Sequence, residues 1–256
     1  IRSWADLKNR LDSDRRCYGF FHPRLPNEPL IFVEVALVDK ISASITPLLD
    51  EAAAPVDITR ATTAIFYSIS NTQTGLRGVS FGDSLIKHVV ETLTAEFPRL
   101  RTFATLSPIP GFRAWLSKHA GAMLERLDDK RRAELGRAVG FEPPQATHLL
   151  GAIDKALELD AKSPVRQMLL ECAAYYLGRE MQEGKPVDPV ARFHLGNGAR
   201  VERLNWAGDP SSKGQKQSYG LMVNYLYDLK RIDKHRSLLA QGKVPVSGDI
   251  DSLCRD

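Results

Sequence analysis

The chain has 256 residues, 35 Lys and Arg against 31 Asp and Glu for a net charge of +4, and 43% hydrophobic and 26% charged residues. This ordinary composition excludes disordered, collagen-like and coiled-coil chains, and a domain of this length hides roughly three quarters of its unfolded surface without needing disulfides or a structural metal. Apolar stretches such as LIFVEVALV around Val33 fall far short of the roughly 20 residues that cross a bilayer, and no signal peptide opens the sequence. The expectation is a soluble, intracellular protein with no membrane partner. Cys17, Cys172 and Cys254 are odd in number and lack CxxC spacing, so neither a disulfide framework nor a zinc site is expected. So small a positive charge lends nucleic acid little support, whereas one phosphorylated ligand needs only a local cluster.

In chain order, WADLKNRL (Trp4–Leu11) has helical spacing, and an extended aromatic run begins over Cys17–Phe21. Three prolines in His22–Pro29 predict a turn, followed by the strongest strand, Leu30–Val38, in which Glu34 is read as outward-facing or on an edge. Ile41–Leu49 reads as a short helix, Asp50–Thr59 as a loop and Thr62–Ser70 as a strand. A glycine-rich turn then precedes an amphipathic helix from Ser84 to Phe97. Arg101–Leu106 reads as a strand running into SPIPGF, Ser107–Phe112. From Gly111 to Met181 the pattern is almost wholly helical, with the charged run Asp128–Arg132 on a solvated face. Val190–Leu195 and Ala199–Trp206 read as strands joined by an Asn-Gly hairpin at Gly196–Gly198. Gly208–Ser218 reads as a loop, GLMVNYLYDLKRI as a helix or a final strand and helix, and the tail from Ala240 is expected to fray. One α+β domain over 1–256, with a helical insertion of about 113–185, follows from this order.

Three segments carry chemistry. Glycines in QTGLRGVSFG (Gln73–Gly82) sit at a strand-to-helix junction, where backbone N–H groups and the helix dipole suit a pyrophosphate, although neither a P-loop nor an intact GxGxxG is present. Ser107 lies before a proline-stiffened turn at a strand end, a rigid position that also suits a local turn bond. His194, between Phe193 and Leu195, would face away from both neighbours on a strand, with a structural role as the bland alternative. No HExxH or paired acidic cluster argues for a metal.

The runs FYSISNTQTGLRGVSFGDSLIKHVV, TLSPIPGF, RFHLGNGARVERLNW and YGLMVNYLYDL together resemble the catalytic C-terminal domain of the malonyl-CoA decarboxylases, in the same order over most of the chain. That resemblance implies the fold of the GCN5-related N-acetyltransferases, a mixed sheet flanked by helices that splays to admit acyl-CoA. The family's N-terminal helical domain, used in self-association, is missing from this sequence, and a homo-oligomer is expected of the full-length protein. The family's catalytic serine and histidine match Ser107 and His194. Its CoA-binding loop matches the Gln73–Gly82 segment, with Gln73, Gly75, Arg77, Gly78, Val79, Ser80 and Gly82 as binding residues, and Asn197 and Tyr225 complete the expected substrate-binding set. The acetyltransferase consensus is met only loosely by Arg77, Gly78 and Gly82. With no peroxisomal tripeptide at the end, a bacterial cytoplasm or a mitochondrial matrix is expected.

Losing CO₂ from a malonyl thioester leaves an enolate, so the implied reaction needs an oxyanion site and a proton for C2, and no cofactor beyond the CoA of malonyl-CoA and acetyl-CoA themselves. Backbone N–H groups of Ser68, Ile69, Ser70 and Asn71 are the candidate oxyanion donors, each worth roughly 3 kcal/mol. Ser107 is expected to align the departing carboxylate, and His194, with an ordinary pKa near 6.5, to donate the proton. An acyl-serine hydrolase is disfavoured by the absence of a GxSxG elbow. Acyl transfer to an amine and a non-catalytic acyl-CoA-binding module remain the rivals.

Overall fold

Apolar residues occupy nearly every position from 30 to 38, a pattern that needs cover on both faces of a sheet, and the strand that they form lies in the sheet's interior. The computed structural model describes residues 8–72 and 84–254, with the backbone alone at Asn71 and Ser84. β1 (Arg15–His22), β2 (Leu25–Val38) and β3 (Thr63–Asn71) run antiparallel in that order. Val33, Val35 and Leu37 enter the main core, while Ala36 and Val38 enter a second cluster on the opposite face. Of the expected first helix, Lys8–Arg10 fall among the described residues and are helical.

The turn expected over His22–Pro29 is only Pro23 and Arg24. Pro26 and Pro29 lie within β2, before its pairing with β3 begins at Ile31, where the β1 register slips at Phe20/Phe21 and Phe21/His22. Their missing N–H groups therefore interrupt the ladder only at its irregular end. Glu34 is in this interior strand rather than on an edge. Both of its carboxylate oxygens accept from Arg10 Nη1 at 2.8 Å, the pairing that lets a carboxylate be buried.

The helix expected over Ile41–Leu49 does not form. Arg203 Nη2 and Asn224 Nδ2 take the carbonyls of Ile41 and Ser42, Ile45 N–H goes to Gly208 O, and Pro47 has no N–H to give a helix. The strap instead lays Ile41, Ile45 and Leu48 over the second cluster.

α1 (Ser84–Glu96) packs Leu85, Val89 and Leu93 on the main core, and β4 (Thr102–Thr105) and the short β5 (Ser107–Pro108) follow. The helical stretch comprises α2 (Phe112–Glu125), α3 (Asp129–Val139), α4 (Ala146–Ile153) and α5 (Pro164–Gly178), then a small hairpin of β6 (Met181–Gln182) and β7 (Lys185–Pro186).

The expected strand Val190–Leu195 is a helix, α6 (Pro189–Gly196). Asp188 caps it by accepting from the N–H groups of Val190 and Ala191, and Pro189 fills the first position, where a missing N–H costs nothing. Its Asn-Gly is therefore a helix end rather than a hairpin, with Gly198 at φ +85°. The expected loop Gly208–Ser218 contains α7 (Ser212–Ser218), capped by Ser211. β8 (Arg200–Asn205) forms as expected, and of the two readings of GLMVNYLYDLKRI the strand and helix prevail, as β9 (Met222–Leu226) and α8 (Ile232–Ala240).

The tail does not fray over its described residues: Val244, Ile250 and Cys254 are buried, Val246 bridges Val201, and α9 (Gly248–Leu253) closes it. The main sheet runs β1-β2-β3-β4-β9-β5, with β8 also on β9, and only β3–β4 is parallel among its named pairs. It is the mixed sheet flanked by helices that the resemblance implied.

Gly198 ties α6 to α8: a Cβ there would lie 2.6 Å from Ile232 Cγ2 and 3.0 Å from the Ile232 carbonyl oxygen. Gly198→Ala combines a left-handed alanine with a clash against backbone, so a loss of roughly 2–4 kcal/mol in denaturant unfolding is expected. An unchanged midpoint would show that α8 moves freely.

Candidate active site

Two strands part in the middle of the sheet. β3 and β4 pair in parallel only from Thr63 and Thr102 to Phe66 and Thr105. Leu106 N–H then donates to Phe66 O at 3.0 Å, and the chain swings to pair Ser107 and Pro108 with Val223 and Met222. β3 continues beside β2, with one irregularity at Tyr67, and Thr72 N–H donates to Leu30 O. Alternation back from Thr72 points the N–H groups of Ser70 and Ser68 at β2 and turns those of Ile69 and Asn71 away from it, into the gap. A cavity of about 310 Å³ opens there, lined by Phe66, Tyr67, Ser68 and Ile69 on one side and Leu106, Ser107 and Pro108 on the other, with Pro189, Val190, Phe193 and His194 above.

Ser107 and His194, 87 residues apart, meet at this cavity: Ser107 Oγ lies 3.3 Å from His194 Nε2. His194 Nδ1 is 2.8 Å from the Tyr227 hydroxyl, and Ser107 Oγ donates to Thr105 Oγ1 at 2.9 Å. Thr105 Oγ1 also accepts from Tyr225 N–H, and Asn224 Nδ2 donates to the Thr105 carbonyl at 2.7 Å. Burial raises the Tyr227 pKa well above its ordinary value, so the phenol keeps its proton. Donation of that proton to Nδ1 places the ring proton of neutral His194 on Nε2, which then donates to Ser107 Oγ. Each side-chain nitrogen and oxygen in the series from Tyr227 to Thr105 then has a hydrogen-bond partner.

The imidazole itself is buried, stacked on Tyr225 at 4.8 Å and flanked edgewise by Phe193 and Tyr227. Desolvation pushes its pKa down to about 3, which overrides the helix C-terminus that would favour a cation. The ordinary value near 6.5 expected from sequence does not hold in this buried setting, where His194 is neutral at physiological pH.

The other expected residues divide. Ser68 and Ile69 line the cavity with the dyad, whereas Ser70 is exposed and turned toward β2. Asn71 contributes its backbone. Tyr225 is fully buried behind His194 and backs the imidazole instead of facing the cavity. Asn197 ends α6, donates to Phe193 O and lines a separate cavity with Tyr227, α1 and α8. Gln73, Gly75, Arg77, Gly78, Val79, Ser80 and Gly82 lie outside the described residues. Sequence reasoning missed Thr105 and Tyr227. Strand periodicity held a clue to Thr105, since positions two apart share a face.

Folded His194 resists protonation until about pH 3, whereas an unfolded chain takes the proton near 6.5. The resulting stability is present in full above pH 6.5 and is lost as pH falls toward 3, on the order of several kcal/mol in all. His194→Asn should flatten this part of the stability profile in denaturant titrations from pH 7 to 4. An unaltered slope would place the acid sensitivity elsewhere.

A family profile described as "Malonyl-CoA decarboxylase C-terminal domain" matches residues 1–256. The mitochondrial malonyl-CoA decarboxylase of Rattus norvegicus is 38% identical over 99% of the chain, and that of Anser anser anser is 40% identical over 90%. The chain spans 54% and 47% of those two relatives, about half of their length. The crystal structure of malonyl-CoA decarboxylase from Cupriavidus metallidurans superposes with a TM-score of 0.89 at 51% identity, covering 99% of this chain and 62% of that one. The chain belongs to the malonyl-CoA decarboxylase family and corresponds to its C-terminal domain.

Proposed function

We propose that this domain converts malonyl-CoA to acetyl-CoA and CO₂, with Ser107 and His194 as its catalytic residues. The observation that carries this reading is the placement of their 3.3 Å contact across a cavity from the β3 edge that is unpaired among the described residues, in a chain of this family. The thioester oxygen accepts from the N–H groups of Ile69 and Asn71, donors already aimed into the gap and requiring no reorganisation. CoA phosphates are assigned to the Gln73–Gly82 segment.

The malonyl carboxylate sits at Ser107, whose hydroxyl turns from Thr105 to donate to it. A negative charge brought beside His194 raises the pKa of the imidazole, opposing the desolvation that holds it neutral in the empty site. Substrate binding therefore loads the proton. The C–C bonding pair then passes to C2 and the thioester as CO₂ departs, and the imidazolium proton, directly or through Ser107, goes to C2 to complete acetyl-CoA. His194 returns to the neutral state and takes its next proton from solvent with the next substrate.

Acyl transfer to Ser107 is not favoured by the hydrogen bonds. A serine nucleophile needs a lone pair on Nε2 to take its proton, and the Tyr227 donor at Nδ1 leaves Nε2 protonated instead.

Incubation of the complete protein with malonyl-CoA, in chelator and with no amine acceptor, should yield CO₂ and acetyl-CoA in equal amounts by mass spectrometry. His194→Asn should lower turnover by roughly a hundredfold to ten-thousandfold with little change in substrate binding. Strict dependence on an amine would mark an acyltransferase instead, and tight acyl-CoA binding without turnover would mark a binding module.

A further inference from the structure

We infer that Asp188 is a positioning residue that sets the Ser107–His194 contact by tying the start of the helix that carries His194, through Tyr176, to the turn that follows Ser107, an inference that rests on the dyad reading above. Its side chain is 1% exposed. One oxygen, Oδ1, accepts from the N–H groups of Val190 and Ala191 at 2.9 Å each, which fixes the start of α6, five residues before His194. The other, Oδ2, accepts from the Tyr176 hydroxyl at 3.3 Å, and a Cβ built on Gly111 would lie 3.8 Å from the same oxygen. Gly111 closes the turn that follows β5. The carboxylate thus joins the helix that carries the imidazole, through Tyr176 of α5, to the turn that follows the strand that carries the hydroxyl.

Tight packing supports the same assignment. A Cβ built on Gly111 would run into the Tyr176 hydroxyl, although the backbone there, at φ −92° and ψ −11°, is open to any residue. Glycine is needed at this position for its lack of volume, so that turn, tyrosine and carboxylate close on one another. Asp188 does not touch the imidazole, whose Nδ1 belongs to Tyr227; it acts one step back, on the backbone.

Asp188→Asn keeps an oxygen for the α6 cap but turns an amide toward Tyr176, whose hydroxyl loses its charged acceptor. In the complete protein we expect kcat to fall by roughly a hundredfold, as a misplacement near 1 Å produces, while KM for malonyl-CoA and the far-ultraviolet spectrum stay within twofold and unchanged, respectively. In a His194→Asn background the same substitution should cost nothing further, because residues acting through one step are non-additive. An equal loss in both backgrounds, or an unchanged kcat, would overturn the assignment. If Asp188→Asn does not fold, Gly111→Ala pushes the Tyr176 hydroxyl off the carboxylate from the other side, with the same kcat-only loss expected and an unchanged kcat equally fatal. A parent protein that releases no CO₂ would refute the functional reading and not this one. The His194 Nε2–H signal in a proton–nitrogen NMR spectrum then decides, sharp and downfield in the parent and lost in Asp188→Asn; a signal identical in both proteins would overturn the clamp.

Discussion

The parting of β3 from β4 after Phe66 and Thr105 is the constraint on which the rest of this molecule depends. Backbone donors inside a fold are almost always paired, so a strand edge can be left open only if something else is built to use it. Here the chain after Thr105 is drawn to the far side by β9, while β2 holds β3 straight to Asn71. The N–H groups of Ile69 and Asn71 face the space between. The ordered strap over residues 41–49, tied down by Arg203 and Asn224, covers the second hydrophobic cluster, which includes Ile65 of β3 and Ala104 of β4.

A second consequence is electrostatic. Thr105, Ser107, His194 and Tyr227 form one hydrogen-bonded series in a largely apolar setting. Low polarity makes such a series stiff and makes an unpaired charge within it expensive. Neutral His194 is the result, and under the proposed function a substrate that brings its own carboxylate would change that balance at the moment when a proton is needed. The same group can then be stable when empty and acidic when occupied, without a resident cation waiting in the site.

Much of this was legible in the sequence. The interior strand at Leu30–Val38, the helix after the glycine-rich turn and the position of Ser107 at a strand end all follow from local periodicity and proline placement. His194 does lie at the cavity with Ser107, but on a helix rather than on the strand expected because VARFHL alternates well enough to pass for one. Asp188-Pro189, a cap followed by a proline, was the helix signal that outweighs it. The strap at residues 41–49 was not legible, since its conformation is set by Arg203 and Asn224, more than 160 residues away. Tyr227 and Asp188 escaped for a related reason: their roles exist only once β9, α5 and α6 are packed around the turn after Ser107. The helix α7 lay hidden in a run of Gly, Ser and Lys whose Ser211 cap is its one local clue.

Nitrogen NMR of His194 in protein labelled at histidine tests the central claim most directly, because it reads protonation and tautomer in one spectrum. The unliganded protein should show a neutral ring with its proton on Nε2 at pH 7, and should keep it down to below pH 5. Addition of a malonyl-CoA analogue that cannot lose CO₂ should convert the same ring to imidazolium at pH 7, whereas acetyl-CoA should not. An imidazolium already present in the empty site at pH 6, or a ring that stays neutral with the carboxylate analogue bound, would contradict the proposal that the substrate loads the proton it later receives.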